Sequence, residues 1–540
     1  MVATLLGAAL PSSLPDLSGL AALAAIAVPL LFVLGAVLVP LGGRRALFER
    51  TERVASAALL FAALQGLATA LSAPAARDAA ADTLGLALAL DAVTSVMLGL
   101  VAFMAFVIAR YSRAYLGTER GGARYARWLL ATLAAVTVLV VARDLLVMVF
   151  AWTAASLALH QLLTFFQERP QALVAAHKKF IVSRLADLAL LSAAVLLQSS
   201  LGSLDLRDLG AIAGPLPAAA EAATFLLVLG TCLRTAQLPF HGWLTQVMEA
   251  PTPVSALLHA GVVNLGGFVM IRLAGLMEAS PVAQAFLVVI AGTTAVVAAL
   301  VMTTQVSVKV KLAWSTCAQM GFMMLQCGLG AYGLALLHLV AHSLYKAHAF
   351  LSSGSTVERT TVASLAPRRE RAGAGRWLAA AALALAGVGA GATLGGFRVA
   401  DEPALVPFLV VLALGLTPLL VRGAARGPGA AAMAGAVAFG VAALYAGWHG
   451  LFTGLVTPPA TTLATLAPRL GLALLAVLVL FGLQVTLLAA PQSRLARALR
   501  PRLYAGLRLD ERFTHLTFRI WPAPLPARHP GAVTVTVEAR

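Results

Sequence analysis

The feature that most constrains this chain is the recurrence, from residue 20 to residue 489, of apolar runs separated by short polar loops. A helix needs about 20 apolar residues to cross a bilayer core, and backbone in lipid must satisfy its own hydrogen bonds, so such runs fold as helical spans. They lie at 20–42, 54–74, 83–110, 145–166, 180–200, 221–241, 253–277, 284–304, 312–329, 332–356, 377–397, 405–421, 431–448 and 465–489, with a shorter one at 128–142. That gives about fifteen spans. Of the 540 residues 60% are hydrophobic and 11% charged, and the mean hydropathy is +0.90; a soluble domain would carry about 25% charged residues. The predicted class is therefore all-α, a polytopic membrane protein.

A formal net charge of +17 would suit nucleic acid if the basic residues lined one face. They cluster instead in short loops between apolar runs, so the expected surroundings are membrane lipid and no nucleic acid. Assigned to alternating sides, the loops hold about 30 Lys and Arg on one side and about 4 on the other, with about 5 inside spans. The richest are RRALFERTER, RYSRAYLGTERGGARYAR, RTTVASLAPRRERAGAGR and everything after Pro491. This bias puts the N-terminus outside and the C-terminus in the cytoplasm. The N-terminus begins apolar with no basic segment before it, so no cleavable signal is read. Cys232, Cys317 and Cys327 have no paired spacing, which indicates neither a disulfide framework nor a zinc site. The tail, 490–540, interleaves arginines with Leu, Phe, Tyr and Trp in RLYAGLRLDERFTHLTFRIWP before Pro522, Pro524 and Pro526, and then ends in GAVTVTVEAR, expected to be extended or disordered. It reads as an amphipathic segment that either lies on anionic lipid or docks a cytoplasmic partner.

Charge and proline inside the spans point to function. Arg234 stands five residues before Pro239, and Pro251 and Pro253 follow. Proline removes a backbone donor, and broken spans are where transporters hold ions. An arginine at this depth either snorkels to the surface or sits on an ion path. His259, six residues after Pro253, can exchange a proton near neutral pH or serve as a packed, hydrogen-bonded side chain. His338, His342 and Lys346 recur at i, i+4 and i+8, one face of one helix. A row of three titratable groups across a span is hard to explain as packing. Lys309 and Lys311 precede the span at 312–329; one can reach inward while the other anchors. Arg184 and Asp187 are three apart and read as a neutralised intrahelical pair, with Lys178 and Lys179 at the same span's cytoplasmic end. His241 and Glu249 lie in the broken region beside Arg234. No phosphate-binding loop, HExxH motif or nucleophile constellation is present, so transport rather than covalent chemistry is expected.

LPFHGWLTQVMEAPTPVSALLHA, VKLAWSTCAQMGFM and HSLYKAHAFLSSGS resemble signatures of the antiporter-like subunits shared by respiratory complex I, multi-subunit cation/proton antiporters and membrane-bound hydrogenases. The resemblance covers about 90–490. It implies two inverted five-helix repeats, 128–277 and 284–421, each with a discontinuous helix, flanked by N-terminal helices 1–127 and C-terminal helices 422–489. Arg234 stands where that family usually has a lysine, and His259, Lys309 and Lys346 match its proton axis. Thr153 occupies the place of its glutamate, and Ala400 that of a late lysine. An arginine does not readily release its proton.

These departures, with SLALHQLLTFFQERPQALVAAHKKFIVSRLADLALL and the tail, resemble most the membrane subunits of the two-component, energy-coupled inorganic carbon pumps of the Dab type. That resemblance implies a bacterial inner-membrane subunit that conducts protons or sodium ions inward. It also implies a large cytoplasmic, carbonic-anhydrase-like partner of the DabA type that holds a zinc ion and hydrates CO2, with no cofactor in this chain. Two other readings stay open: a subunit of an NADH-quinone oxidoreductase or cation/proton antiporter, and a membrane scaffold whose polar axis no longer conducts.

Overall fold

The computed structural model describes residues 17–41, 46–83, 85–117, 119–212, 214–355, 372–398, 402–456 and 463–522. Ala400, most of the loop 359–376, Pro524, Pro526 and GAVTVTVEAR lie outside them. Within them the chain is helical, with no strand and only the isolated bridges Leu88↔Ala142 and Asp144↔Asp205.

The helices run in order α1 Ser18–Leu38, α2 Leu47–Leu71, α3 Pro74–Thr83, α4 Ala92–Tyr115, α5 Gly122–Val141, α6 Leu145–Leu163 and α7 Pro170–Leu201. Next come α8 Leu206–Gly210, α9 Ala218–Arg234, α10 Gly242–Thr245, α11 Thr252–Ala260, α12 Leu265–Arg272, α13 Ala274–Glu278, α14 Pro281–Met302, α15 Val308–Gly328 and α16 Tyr332–Leu351. The last are α17 Ala374–Leu394, α18 Val406–Ala424, α19 Pro428–Thr453, α20 Leu463–Ala489, α21 Arg494–Tyr504 and α22 Glu511–Ile520.

Twelve helical segments among the described residues are long and apolar enough to cross a membrane. The other three expected spans fall on α9, α15 and α16, which are helical but shorter or more polar. α9 has 17 residues, α15 opens with Lys309 and Lys311, and α16 carries three histidines and a lysine. Boundaries shift where local chemistry dictates. α4 starts at Ala92 rather than 83, because Asp91 caps it by accepting from the Thr94 amide at 2.8 Å while Leu88 pairs with Ala142. α7 runs 32 residues, from Pro170 in its first turn to Leu201, capped by Gly202 at φ +77, and so begins nearly three turns before the expected 180.

Two ends of the bundle are held by polar contacts. At one end Arg143 binds Asp82 and Asp205, both at 2.9 Å, and Arg272 pairs with Asp91. At the other, Arg113 meets Glu49 at 3.2 Å and Arg169 meets Glu249 at 3.2 Å. The C-terminal α21 and α22 pack at this second end, with Tyr504 O accepting from Gln305 Nε2 at 3.3 Å. One large core runs through the helices up to α16 and takes in parts of the C-terminal helices, while a small separate cluster of Ala384, Val388, Ala413, Leu420, Ala434 and Ala442 joins α17, α18 and α19.

Candidate functional site: two buried polar groups and a plugged mouth

The first polar group sits where α6, α7 and α9 meet. α9 ends at Arg234 because Ala236 turns the backbone to φ +53 and an irregular connection carries Pro239 to α10. Arg234, 7% exposed, pairs with Asp187 of α7 and donates from Nη1 to Trp152 O at 2.8 Å, its guanidinium 4.8 Å from the Trp152 ring centroid. Asp187 also pairs with Arg184 at 2.6 Å and accepts from Thr153 Oγ1 at 2.9 Å. One buried carboxylate thus faces two guanidinium groups and a hydroxyl. One turn along α6 from Thr153, Ser156 receives Lys179: its Nζ donates to Ser156 O at 2.6 Å and to Ser156 Oγ at 2.7 Å. Arg184 and Asp187 are more than the intrahelical pair expected, because the second arginine comes from another helix. The acid missing at Thr153 is supplied across the interface, and Thr153 hydrogen-bonds to it.

The second group lies along α16 and the broken helix α11–α12. Pro251 and Pro253 stand at the start of α11 rather than inside a helix; the interruption falls at Gly261, where the backbone takes φ −128 and ψ −76. Just before it, His259 is fully buried, its ring stacked on Phe350 at 4.4 Å and 18°, with neither ring nitrogen hydrogen-bonded. Asn264, just after it, donates to Ser343 Oγ of α16 at 2.7 Å. His338, His342 and Lys346 share one face as expected. The two imidazoles are 5.8 Å apart edge to face, and His338 Nδ1 lies 2.9 Å from Gln326 Oε1. Lys346, fully buried, donates to Ser315 Oγ at 2.7 Å and Leu312 O at 3.2 Å. His259 lies within electrostatic reach of both His342 and Lys346.

Two adjacent glycines bring the groups together. A Cβ on Gly266 would overlap Thr235, just past the end of α9, and Thr231 within it, and one on Gly267 would overlap Met323 of α15. α12 is therefore clamped between the helix that ends in Arg234 and a helix beside Lys346.

A third constellation closes the end of α7. Lys178, fully buried, pairs with Asp510 of the tail and donates to Gln246 Oε1 at 2.9 Å; Gln246 Nε2 donates to Asp510 Oδ2 at 2.8 Å. His241 is buried behind it, its ring 4.8 Å from that of Trp314. Glu249 is paired outside, with Arg169, in a surface cavity of about 500 Å³ that Lys309 also lines. Lys309 Nζ lies 3.4 Å from Thr252 Oγ1 and is half-buried, whereas Lys311 is exposed.

Sequence reasoning missed four partners. Asp510 lies in a tail read as lying on lipid or docking a partner, and its pairing spans 332 positions. Glu278 accepts from Tyr332 Oη at 3.2 Å and Gln284 Nε2 at 2.8 Å at the far end of α16. Glu402 and His449 meet at 2.7 Å between the start of α18 and the end of α19, and this contact holds the Glu402 carboxyl below the usual range. None sits in a periodic pattern, so only the fold brings them together.

A family model described as NADH:quinone oxidoreductase/Mrp antiporter, TM, matches residues 142–375, and one for the N-terminus of complex I chain 5 matches 80–126. A probable inorganic carbon transporter subunit DabB from Hydrogenovibrio crunogenus is 41% identical over 445 residues, 80% of this chain and 83% of that protein. The probable subunit DabB2 of Halothiobacillus neapolitanus is 38% identical over 522 residues, 92% of this chain and 94% of that one. The chain belongs to the DabB family of inorganic carbon transporter subunits. The Mrp complex from Dietzia sp. superposes with a TM-score of 0.54 at 23% identity, covering 92% of this chain and 56% of that one, and so shares the fold. As a DabB-family chain it is a cation-translocating membrane subunit on an antiporter-like scaffold, and both buried groups fall within the matched region 142–375. Where other antiporter-like subunits are expected to hold a lysine and a glutamate, this DabB-family chain holds Arg234, Asp187 and Thr153.

Proposed function

We propose that this chain conducts protons or sodium ions inward through a bacterial inner membrane. That flow drives CO2 hydration, and hence bicarbonate accumulation, by a large cytoplasmic zinc-containing partner of the DabA type. The observation that carries this reading is the pair of buried polar groups joined through α12 in a chain that a DabB2 relative matches almost end to end. Lys346 is the group that exchanges the ion, because it is neutralised by no carboxylate and is held by one hydroxyl and one carbonyl. His338 and His342 extend its row and His259 faces it. Arg234 serves as a fixed charge on Asp187. The first group then lies within the repeat 128–277, the second joins His259 and Asn264 of that repeat to the α16 row of the repeat 284–421, and the end that carries α22 faces the cytoplasm, as the loop charges predict.

The test is to express the chain with its zinc partner in cells lacking carbonic anhydrase and to grow them in air. Rescue that an uncoupler abolishes supports the reading; a stable complex without rescue overturns it. A second reading, a subunit of a redox-driven or antiporter complex, is favoured by the family-model match over 142–375. It predicts cation/proton exchange by the chain in the absence of any zinc partner.

A further inference from the structure

The tail does not lie apart from the bundle. From Gly506 to Trp521 it is seated over the end of α7 and the broken segment that follows α9. Gly506 packs against Trp314, such that a Cβ there would come within 3.2 Å of the indole. Phe513 meets Phe240 edge to face at 5.8 Å. Trp521 stacks on His177 at 3.9 Å and 7°, with Phe180 at its edge. Between these aromatic contacts Asp510 enters the bundle. One oxygen is taken by Lys178, Gln246 and Thr514, the last at 3.2 Å, while Oδ1 is buried without a hydrogen-bond partner. The pocket for this carboxylate exists only because residue 242 is glycine: any Cβ there would overlap the carboxylate itself.

An amphipathic lipid anchor requires none of this. It would bury its apolar side chains in headgroups and keep its acid in water. Burying a lysine and an aspartate costs several kcal/mol per ion before their attraction offsets it, so the pair marks a position where charge has a use. His241 lies beside the pair, and next to Lys178 on α7 Lys179 already belongs to the first buried group, followed on the same helix by Arg184 and Asp187.

We infer that Asp510 is an ion-path residue delivered by the tail: with Lys178 it forms the cytoplasmic mouth of the first buried group, and the segment 506–521 is the stopper that closes that mouth. A cation moving inward reaches the Asp510 carboxylate last. Passage requires the Lys178–Asp510 pair to part and the tail to lift. Asp510 thereby adds a carboxylate to an axis that is otherwise poor in them on this side. The role in conduction rests on the function proposed above; the stopper itself does not.

Two measurements on the full-length chain separate those claims, the first in inside-out vesicles, where the tail faces the added reagent, and the second in right-side-out vesicles, where entry is inward flow. In the first, His241→Cys, a buried position behind the tail, is challenged with a membrane-impermeant maleimide. The natural cysteines are all buried. Labelling is expected to be slow, and to rise several-fold when Asp510→Asn or Gly242→Ala is added. Equal labelling with and without these changes overturns the stopper. In the second, entry of protons, read by a trapped pH dye, and of radioactive sodium is followed in chains carrying Phe240→Cys and Phe513→Cys joined by a short cleavable bismaleimide. Closure is expected to reduce entry to the level of empty vesicles and cleavage to restore it. Undiminished entry after full cross-linking overturns Asp510 as part of the path. Labelling that responds as stated while the unmodified chain carries neither cation leaves the stopper standing and sinks the conduction reading.

Discussion

At the scale of single residues, the decisive arrangement is one aspartate between two arginines. Asp187 is shared by Arg184 and Arg234, so removing its charge strands the buried guanidinium of Arg234 and the half-buried one of Arg184. Breaking a buried pair from one side costs about 3–5 kcal/mol, and Asp187→Ala should lower the detergent-solubilised melting temperature and the membrane yield together. The fold brings Thr153 to the same carboxylate, which makes a rescue specific: Thr153→Glu in the Asp187→Asn background should recover yield, while Thr153→Glu alone should not improve on the parent. Arg234→Lys should be poorly tolerated in the growth assay, because an ammonium cannot hold Asp187 and Trp152 O in one fork. Lys346→Ala should abolish rescue of growth in air while leaving a monodisperse protein, since its partners are a hydroxyl and a carbonyl and no charge is left unpaired. Full activity in that variant would remove Lys346 from the path. The row His338, His342, Lys346 was legible in the sequence because helical periodicity states it outright. Asp187 was visible only as half of a local pair, because helix spacing cannot reveal that an arginine 47 positions on returns to the other oxygen of the same carboxylate.

At the scale of elements, proline and glycine divide the work of breaking helices differently from what their reputations suggest. Pro251 and Pro253 begin α11, where a missing amide donor costs nothing, and Gly261 makes the break. Gly266 and Gly267 then let one short helix touch α9 on one side and α15 on the other. Gly266→Val should be among the more damaging single changes, since overpacking costs about 1–3 kcal/mol and the obstacle is a threonine on a neighbouring helix. A fall in melting temperature with loss of ion entry is the expected result; an unaltered protein would show that α9 and α12 have slack. The sequence placed this stretch at the centre through its charge and its prolines, yet gave no sign of the glycines' role, because close approach is a property of two helices and glycine spacing belongs to one. The tail shows the same limit. Its amphipathic pattern was correctly read, but whether its apolar side meets lipid or protein depends on a surface made by α7, α10 and α15.

At the scale of the molecule, apolar run length and loop charge already fixed the class and placed most helices within a few residues. The assignment of sides follows from the same charge count, and an enzyme reporter that works only in the cytoplasm should be active when fused after Arg540 and silent when fused before Ser18. The C-terminal helices are tied to one another through a separate small core and through Glu402 with His449. Because the His449 contact depresses the Glu402 pKa, its contribution is present above the ordinary carboxylate pKa and is lost as pH falls through the lowered folded value. Thermal stability of the parent should therefore fall more steeply than that of Glu402→Gln below about pH 4; parallel curves would show that the pair contributes nothing measurable.

His259 gives the resting molecule a further property. Both of its ring nitrogens are buried without a partner beside the row on α16, and each such atom costs about 1–3 kcal/mol. Buried unpaired nitrogens favour the entry of water, so in the conduction proposed above wetting of the gap between α11 and α16 is expected to set the pace rather than motion of the ion itself. Transport should then respond to water activity. A large impermeant osmolyte on both sides of the vesicle membrane should slow cation entry in the parent, and should slow it less in His259→Ala, where the unpaired nitrogens are gone and the gap has more room to hold water.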